Sequence, residues 1–137
     1  MKLLVYAIGV FVIVATAVAF VVYARDINQT NIEFLARYGW CVLDDAIEHE
    51  SVVLPKTPDS VYQNYNKLQQ EAGLDLSAYY GKRVERYTYI VKNYPQDVGD
   101  EVRANVICYN RKPIAGDIMT VSADGFMHSL IYHDYSK

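Results

Sequence analysis

Positive charge is scarce in this 137-residue chain, which carries 13 Lys and Arg against 16 Asp and Glu. Lys2 and Arg25 flank an apolar run, so the stretch from Asp26 to Lys137 holds 11 basic against 16 acidic residues, a net charge of −5. Nucleic acid is thereby excluded as a partner, because gripping a phosphate backbone needs a basic footprint. Tight docking of the domain on anionic lipid is excluded for the same reason. Cysteine is nearly absent: Cys41 and Cys108 are the only two. Neither sits in a CxxC pair or at metal-ligand spacing, so no zinc or dithiol motif is present. Ser122, Ser129 and His128 lie close in sequence, yet no G-x-S-x-G elbow presents a nucleophile. The acids come without an evident cleft-forming insertion of the kind a pair of glycosidase carboxylates would need. No cofactor motif stands out either.

What is present begins at the N-terminus. Leu3 to Ala24 is an unbroken run of 22 uncharged, mostly apolar residues. As a helix rising about 1.5 Å per residue, it is long enough for a hydrocarbon core of about 30 Å. Ala15-Thr16-Ala17 and Ala17-Val18-Ala19 fit a signal-peptide cleavage pattern. The run is nevertheless longer than a usual signal core, and only Lys2 precedes it. The expected arrangement is an uncleaved anchor over residues 1–25, in the membrane through residues 3–24, and a single domain over 26–137. A short N-terminal tail most simply stays inside while the downstream chain is exported, which puts the domain on the extracytoplasmic side.

Thr30-Asn31-Ile32-Glu33 has the form of a capping box, predicting a short separate helix from Asn31 to Tyr38 closed by Gly39. Trp40 to Leu43 reads as a strand, and Ile47 to Leu54 as a second extended stretch. Glu48-His49-Glu50 lies within it. A strand puts the two acids on one face and His49 on the other, so the trio cannot chelate one ion. Thr57-Pro58-Asp59 predicts a helix start with Thr57 as N-cap, running to Ala72 before Gly73. Val61, Tyr65, Leu68 and Ala72 form its expected buried stripe, with Tyr62, Asn66 and Gln69 off it. Three long strands follow, over 82–92, 101–109 and 114–121, with Asn105 facing outward and Gly116 marking a bulge or close approach. A last apolar segment covers 126–132. Helices early and strands late, joined by short links, predict an α+β fold: an antiparallel sheet with one main helix packed on one face.

Tyrosine is the compositional oddity, at 13 residues. Tyrosine gives stiff contact area with a polar tip, which suits interfaces as well as half-buried strands. Tyr87, Tyr89, Tyr94 and Tyr109, with Arg86 and His128, are the candidate binding face. The partner expected for it is an envelope protein or a wall component. Lys82 and Arg83 join Arg86 in a small basic patch, whose simplest role is to discourage sheet-to-sheet pairing. His128 with Asp124, extended to His133 and Asp134, is the runner-up: a small enzyme or metal-dependent sensor. Spacing of five between the two histidines suits neither a helical face nor a tight loop. Cys41 and Cys108 read either as two small buried residues or as a disulfide between neighbouring strands.

The order of short motifs also resembles a known family. Phe34-Leu35-Ala36-Arg37-Tyr38-Gly39-Trp40 opens it, and Val61-Tyr62-Gln63-Asn64-Tyr65-Asn66-Lys67-Leu68 follows. Then come Tyr80-Gly81-Lys82-Arg83-Val84, Arg86-Tyr87-Thr88-Tyr89, Asn93-Tyr94-Pro95, Arg103-Ala104-Asn105, Gly116-Asp117 and Asp124-Gly125-Phe126-Met127-His128. The string is similar to the domain of unknown function 4830, small and mostly clostridial single-pass proteins. The resemblance implies a membrane-anchored domain and transfers no activity to any residue.

Overall fold

The structure is a computed structural model that describes residues 1–134, with the backbone alone for residues 21–26. The fold is α+β. One long helix, α1 (Lys2–Ala36), precedes β1 (Glu48–Val53), α2 (Ser60–Glu71), β2 (Arg83–Ile90), β3 (Val102–Tyr109), β4 (Lys112–Thr120) and β5 (Met127–His128). The strands form one antiparallel sheet in the order β1-β2-β3-β4-β5.

The expected break before Thr30 does not occur. From Val10 to Tyr38 there is no glycine or proline to interrupt a helix, and Gln29 Nε2 donates to Glu33 Oε1 (2.9 Å), which engages the carboxylate a capping box would need. The apolar run and the predicted short helix are therefore one element. Lys2–Phe20 has the length and composition of a membrane span, a test that a signal sequence also passes. The helix ends as expected at Gly39 (φ +87°): Trp40 N–H donates to the Leu35 carbonyl and Gly39 N–H to that of Ala36, satisfying two terminal acceptors.

α2 is capped by Asp59 rather than Thr57, since the Asp59 carboxylate accepts from Tyr62 N–H (3.0 Å). Gly73 (φ +75°) closes it. Its buried face differs from the expected stripe. Val61 is 69% exposed, whereas the polar Asn66 and Gln69 are buried. They go inside because the backbone gives them partners. Asn66 Oδ1 accepts from Leu76 N–H (2.7 Å), and Gln69 Oε1 accepts from Gly116 N–H (2.8 Å).

Trp40 to Leu43 is not a strand, because only Val42 bridges to the sheet, opposite Val91. The last long hairpin turns through Asn110 and Arg111, both with positive φ, the geometry of a two-residue turn that follows strand twist. Gly116 is a close approach: a Cβ there would stand 2.7 Å from the Asn105 carbonyl oxygen. The register also shifts at Ile107/Cys108 on the facing strand.

Strand alternation gives the sheet two faces, and both are covered. The end of α1 covers one, where Ile27, Phe34 and Leu35 join Tyr89, Val106 and Ile118 in the larger core cluster. Burying such side chains stabilises the fold by about 1.5–3 kcal/mol each. Trp40 extends this core, and its Nε1–H donates to the Leu130 carbonyl (2.7 Å). The opposite face carries α2, which contacts β4, and a second cluster around Leu54, Leu76, Val84 and Ile107.

Candidate functional site

α2 crosses the strands. Its start, at Tyr62, lies by Val53 and Leu54 next to β1, and its last turns, at Leu68 and Glu71, lie by Met127 and His128 of β5. A trough of about 590 Å³ opens between the helix and the sheet. Every strand supplies an apolar residue to it: Val52, Val84, Ile107, Met119 and Met127. Val61, Tyr62, Tyr65 and Leu68 of α2 form the facing wall. The volume lies within the range of small-molecule sites.

The polar groups of this trough converge on its floor. Asp117 is 2% exposed and Asn105 3%. Tyr65 Oη donates to Asp117 Oδ2 (2.5 Å), Asn105 Nδ2 to Asp117 Oδ1 (2.9 Å), and Thr88 Oγ1 to Asn105 Oδ1 (2.7 Å). Burial pushes the Asp117 carboxyl above its ordinary range, opposed by these hydrogen bonds and by the Arg86 guanidinium. Burial also raises the Tyr65 phenol well above its ordinary value, and the Asp117 charge adds to the shift. Arg86 donates from Nη2 to Glu50 Oε2 (2.5 Å) across β1 and β2. The floor is thus a chain of donors directed into one buried carboxylate, beside a cation already paired at the rim.

Residues nominated from the sequence are dispersed. Tyr89 is 0% exposed, in the core under α1, and its hydroxyl donates to Asn28 Oδ1 (2.8 Å) and accepts from Asn31 Nδ2 (3.0 Å). Tyr87 stacks on His49, ring centroids 4.4 Å apart. Tyr109 packs with Tyr79, and the Lys82 ammonium lies over both rings, 5.0 Å and 5.6 Å from their centroids. Arg86 lines the trough, on the face opposite Tyr87 and Tyr89. Only Tyr94 and His128 meet. The candidate face is therefore five separate places. Lys82, Arg83 and Arg86 also diverge, Arg83 reaching Ser51 (3.3 Å) and Arg86 reaching Glu50.

Tyr94 and His128 belong to an aromatic cluster with Trp40, Phe126 and Tyr132. His128 Nδ1 lies 2.6 Å from the Ser129 carbonyl, which can only accept, so that nitrogen carries the proton. In the neutral ring Nε2 then accepts from Tyr94 Oη (3.1 Å). Burial lowers the affinity of His128 for a second proton. The unfolded chain takes up that proton first, so this group's stabilisation is complete above the ordinary histidine value. It is lost as pH falls through that value toward the lower folded one. Denaturation from about pH 7 to about pH 5 is expected to show the wild type losing more stability than His128→Phe.

Asp124 is exposed in its turn, and both His128 nitrogens are engaged elsewhere. Among the described residues no three His, Cys, Asp or Glu side chains gather as metal ligands. The Glu48-His49-Glu50 faces divide as expected: Glu48 pairs with Arg103 (2.9 Å) and Glu50 with Arg86, while His49 pairs with Glu85 (2.6 Å). Cys41 and Cys108 are both free thiols, the first exposed and the second buried. Cys108 Sγ donates to Asn31 Oδ1 (3.2 Å) of α1, and burial raises its pKa to about 12.

The family model described as domain of unknown function (DUF4830) matches residues 34–118, more than half of the chain, and the chain belongs to that family. The matched stretch contains α2, β1 to β3, most of β4 and the whole Asp117 network. No curated protein and no solved structure matches it.

Proposed function

We propose that this protein is a non-enzymatic binding module of the cell envelope. In this reading residues 3–24 tether it to the membrane, its domain stands on the extracytoplasmic side, and the trough beneath α2 receives an envelope component. One observation carries the binding role: an apolar trough fed by all five strands, above a network in which Tyr65, Asn105 and Thr88 are bonded in sequence to Asp117, and beside an Arg86 whose buried Nε has no hydrogen-bond partner among the described residues. Asp117, its buried acid, has both oxygens engaged by neighbours, so it shapes the floor of the trough rather than presenting a free base to a ligand. The apolar helix Lys2–Phe20 supports the tether. The net charge of −5 over residues 26–137 agrees with a domain that stands off an anionic surface.

Protease shaving of intact cells tests the placement. The domain is expected to be digested before lysis while the apolar part of α1 is protected. A domain that survives until the cells are opened is on the other side of the membrane, and the envelope role goes with it.

A further inference from the structure

We infer that the trough holds one extended acyl chain bearing an uncharged carbonyl, an ester or an amide, with the carbonyl oxygen at the Arg86 guanidinium. The inference rests on the trough being the binding site proposed above.

Shape argues for a chain. The lining runs from Val52 on β1 to Met127 on β5. Five strands about 4.8 Å apart make that path roughly 19 Å long. The 12-residue α2, at about 1.5 Å per residue, walls a similar length, roughly 18 Å. A volume of about 590 Å³ spread along such a path leaves a narrow channel, which fits a single flexible chain better than a compact ring system. The walls suit it, for Met119 and Met127 are unbranched and adapt to a chain without fixed shape. Val61 and Met127 leave the mouth apolar, both being exposed.

Charge argues for an uncharged head. Arg86 is the cation that lines the trough, and its side chain is 39% exposed. One of its Nη groups is bonded to Glu50, and the buried Asp117 also interacts with it. A ligand carboxylate or phosphate would bring a further anion to a guanidinium that already faces two carboxyl groups. Glu50 already balances the charge of that guanidinium, and an added anion would find no second Lys or Arg among the residues lining the trough. A carbonyl oxygen accepts from a guanidinium N–H without adding charge.

The test uses the full chain in lipid vesicles and three photoreactive probes of equal chain length: a fatty-acyl methyl ester, the free acid and the plain alkane, each with a diazirine at the chain end. Cross-linked peptides are mapped. The ester is expected to label peptides containing Leu68 or Met119 at least tenfold more than the alkane does, and more than the acid. Arg86→Met is expected to bring the ester down to the alkane's level, with Arg86→Lys restoring part of the difference. Leu68→Trp, a half-buried position on α2, fills the trough and is expected to abolish labelling by all three. Equal labelling by ester and alkane, or stronger labelling by the acid, overturns the uncharged carbonyl head while leaving the trough as a binding site. Labelling confined to residues 2–20 with every probe overturns this inference and the binding site together.

Discussion

Asp117→Ala is expected to destabilise the domain by about 2–5 kcal/mol, while Asp117→Asn is expected to change it by less than about 1 kcal/mol at neutral pH. Asp117 accepts from Tyr65 Oη and from Asn105 Nδ2, and both the carboxyl and the Asn105 amide are almost wholly buried. Alanine leaves both donors without an acceptor, at about 1–3 kcal/mol for each buried orphan. It also undoes the order of the chain behind them, because Asn105 is held in turn by Thr88. An amide has nearly the carboxylate's shape. Its oxygen can accept from Tyr65, and its nitrogen can donate to the oxygen of a flipped Asn105 amide, whose own nitrogen then donates to the Thr88 hydroxyl, so every donor keeps an acceptor without a buried charge. The two variants should also differ from wild type in pH dependence. Burial raises the Asp117 pKa in the fold, so the folded state holds its proton after the unfolded chain has released one. This group's contribution is therefore fully present below the ordinary carboxylate value and is lost as pH rises through the raised folded value. Urea denaturation from about pH 4 to about pH 8 should show Asp117→Asn gaining on the wild type as pH rises. If the gap between them stays constant, the carboxyl does not titrate differently in the fold, and the network is held by geometry alone.

That network explains why the site was only half legible in the sequence. The three long strands, the glycine-terminated α2, the Gly39 helix end and the close approach at Gly116 are local facts, written in alternation and turn chemistry, and they appear where expected. The face of a strand that turns inward is not local. Alternation placed Asn105 opposite the apolar Val102, Ala104, Val106 and Cys108, and a polar residue on the second face of a sheet reads as solvent-facing. Here α2 covers the second face at that point, so Asn105 and Asp117 meet inside. The same blindness affected α2: Asn66 and Gln69 look like its wet side until their partners, Leu76 N–H and Gly116 N–H, are known. A faint signal existed. Arg103-Ala104-Asn105 and Gly116-Asp117 are both pieces of the family's motif string, although neither carries chemistry by itself. Tyrosine content misled in the other direction. Tyr89 and Tyr65 are structural, each anchoring a hydroxyl to a buried polar group, and abundance alone could not separate them from a recognition surface.

Removing the residues before Arg37 is expected to abolish cooperative folding, whereas a chain beginning at Asp26 should fold. The apolar first part of α1 is exposed along its length, but its last turns are core. Leu35 is fully buried, Phe34 nearly so, and Ile27 joins them against β3 and β4. Asn31, with no exposed surface, donates to the Tyr89 hydroxyl and accepts from Cys108 Sγ, tying the helix to β2 and β3. Truncating one large core side chain to alanine costs about 2–5 kcal/mol, so Leu35→Ala alone should remove much of the margin of a domain stable by about 5–15 kcal/mol. Deleting the whole segment would expose one face of the sheet, leave Tyr89 without two polar partners, and exceed that margin. Circular dichroism with thermal melts of the two shortened chains decides the matter. A sharp transition in the chain beginning at Arg37 would make the helix an appendage docked on a self-sufficient sheet. Loss of the transition would mean that the last turns of α1 are part of the core, in the same helix as the apolar segment. The proposed membrane tether would then fix the orientation of the trough as well as its location, because no hinge-forming glycine or proline separates Val10 from Tyr38.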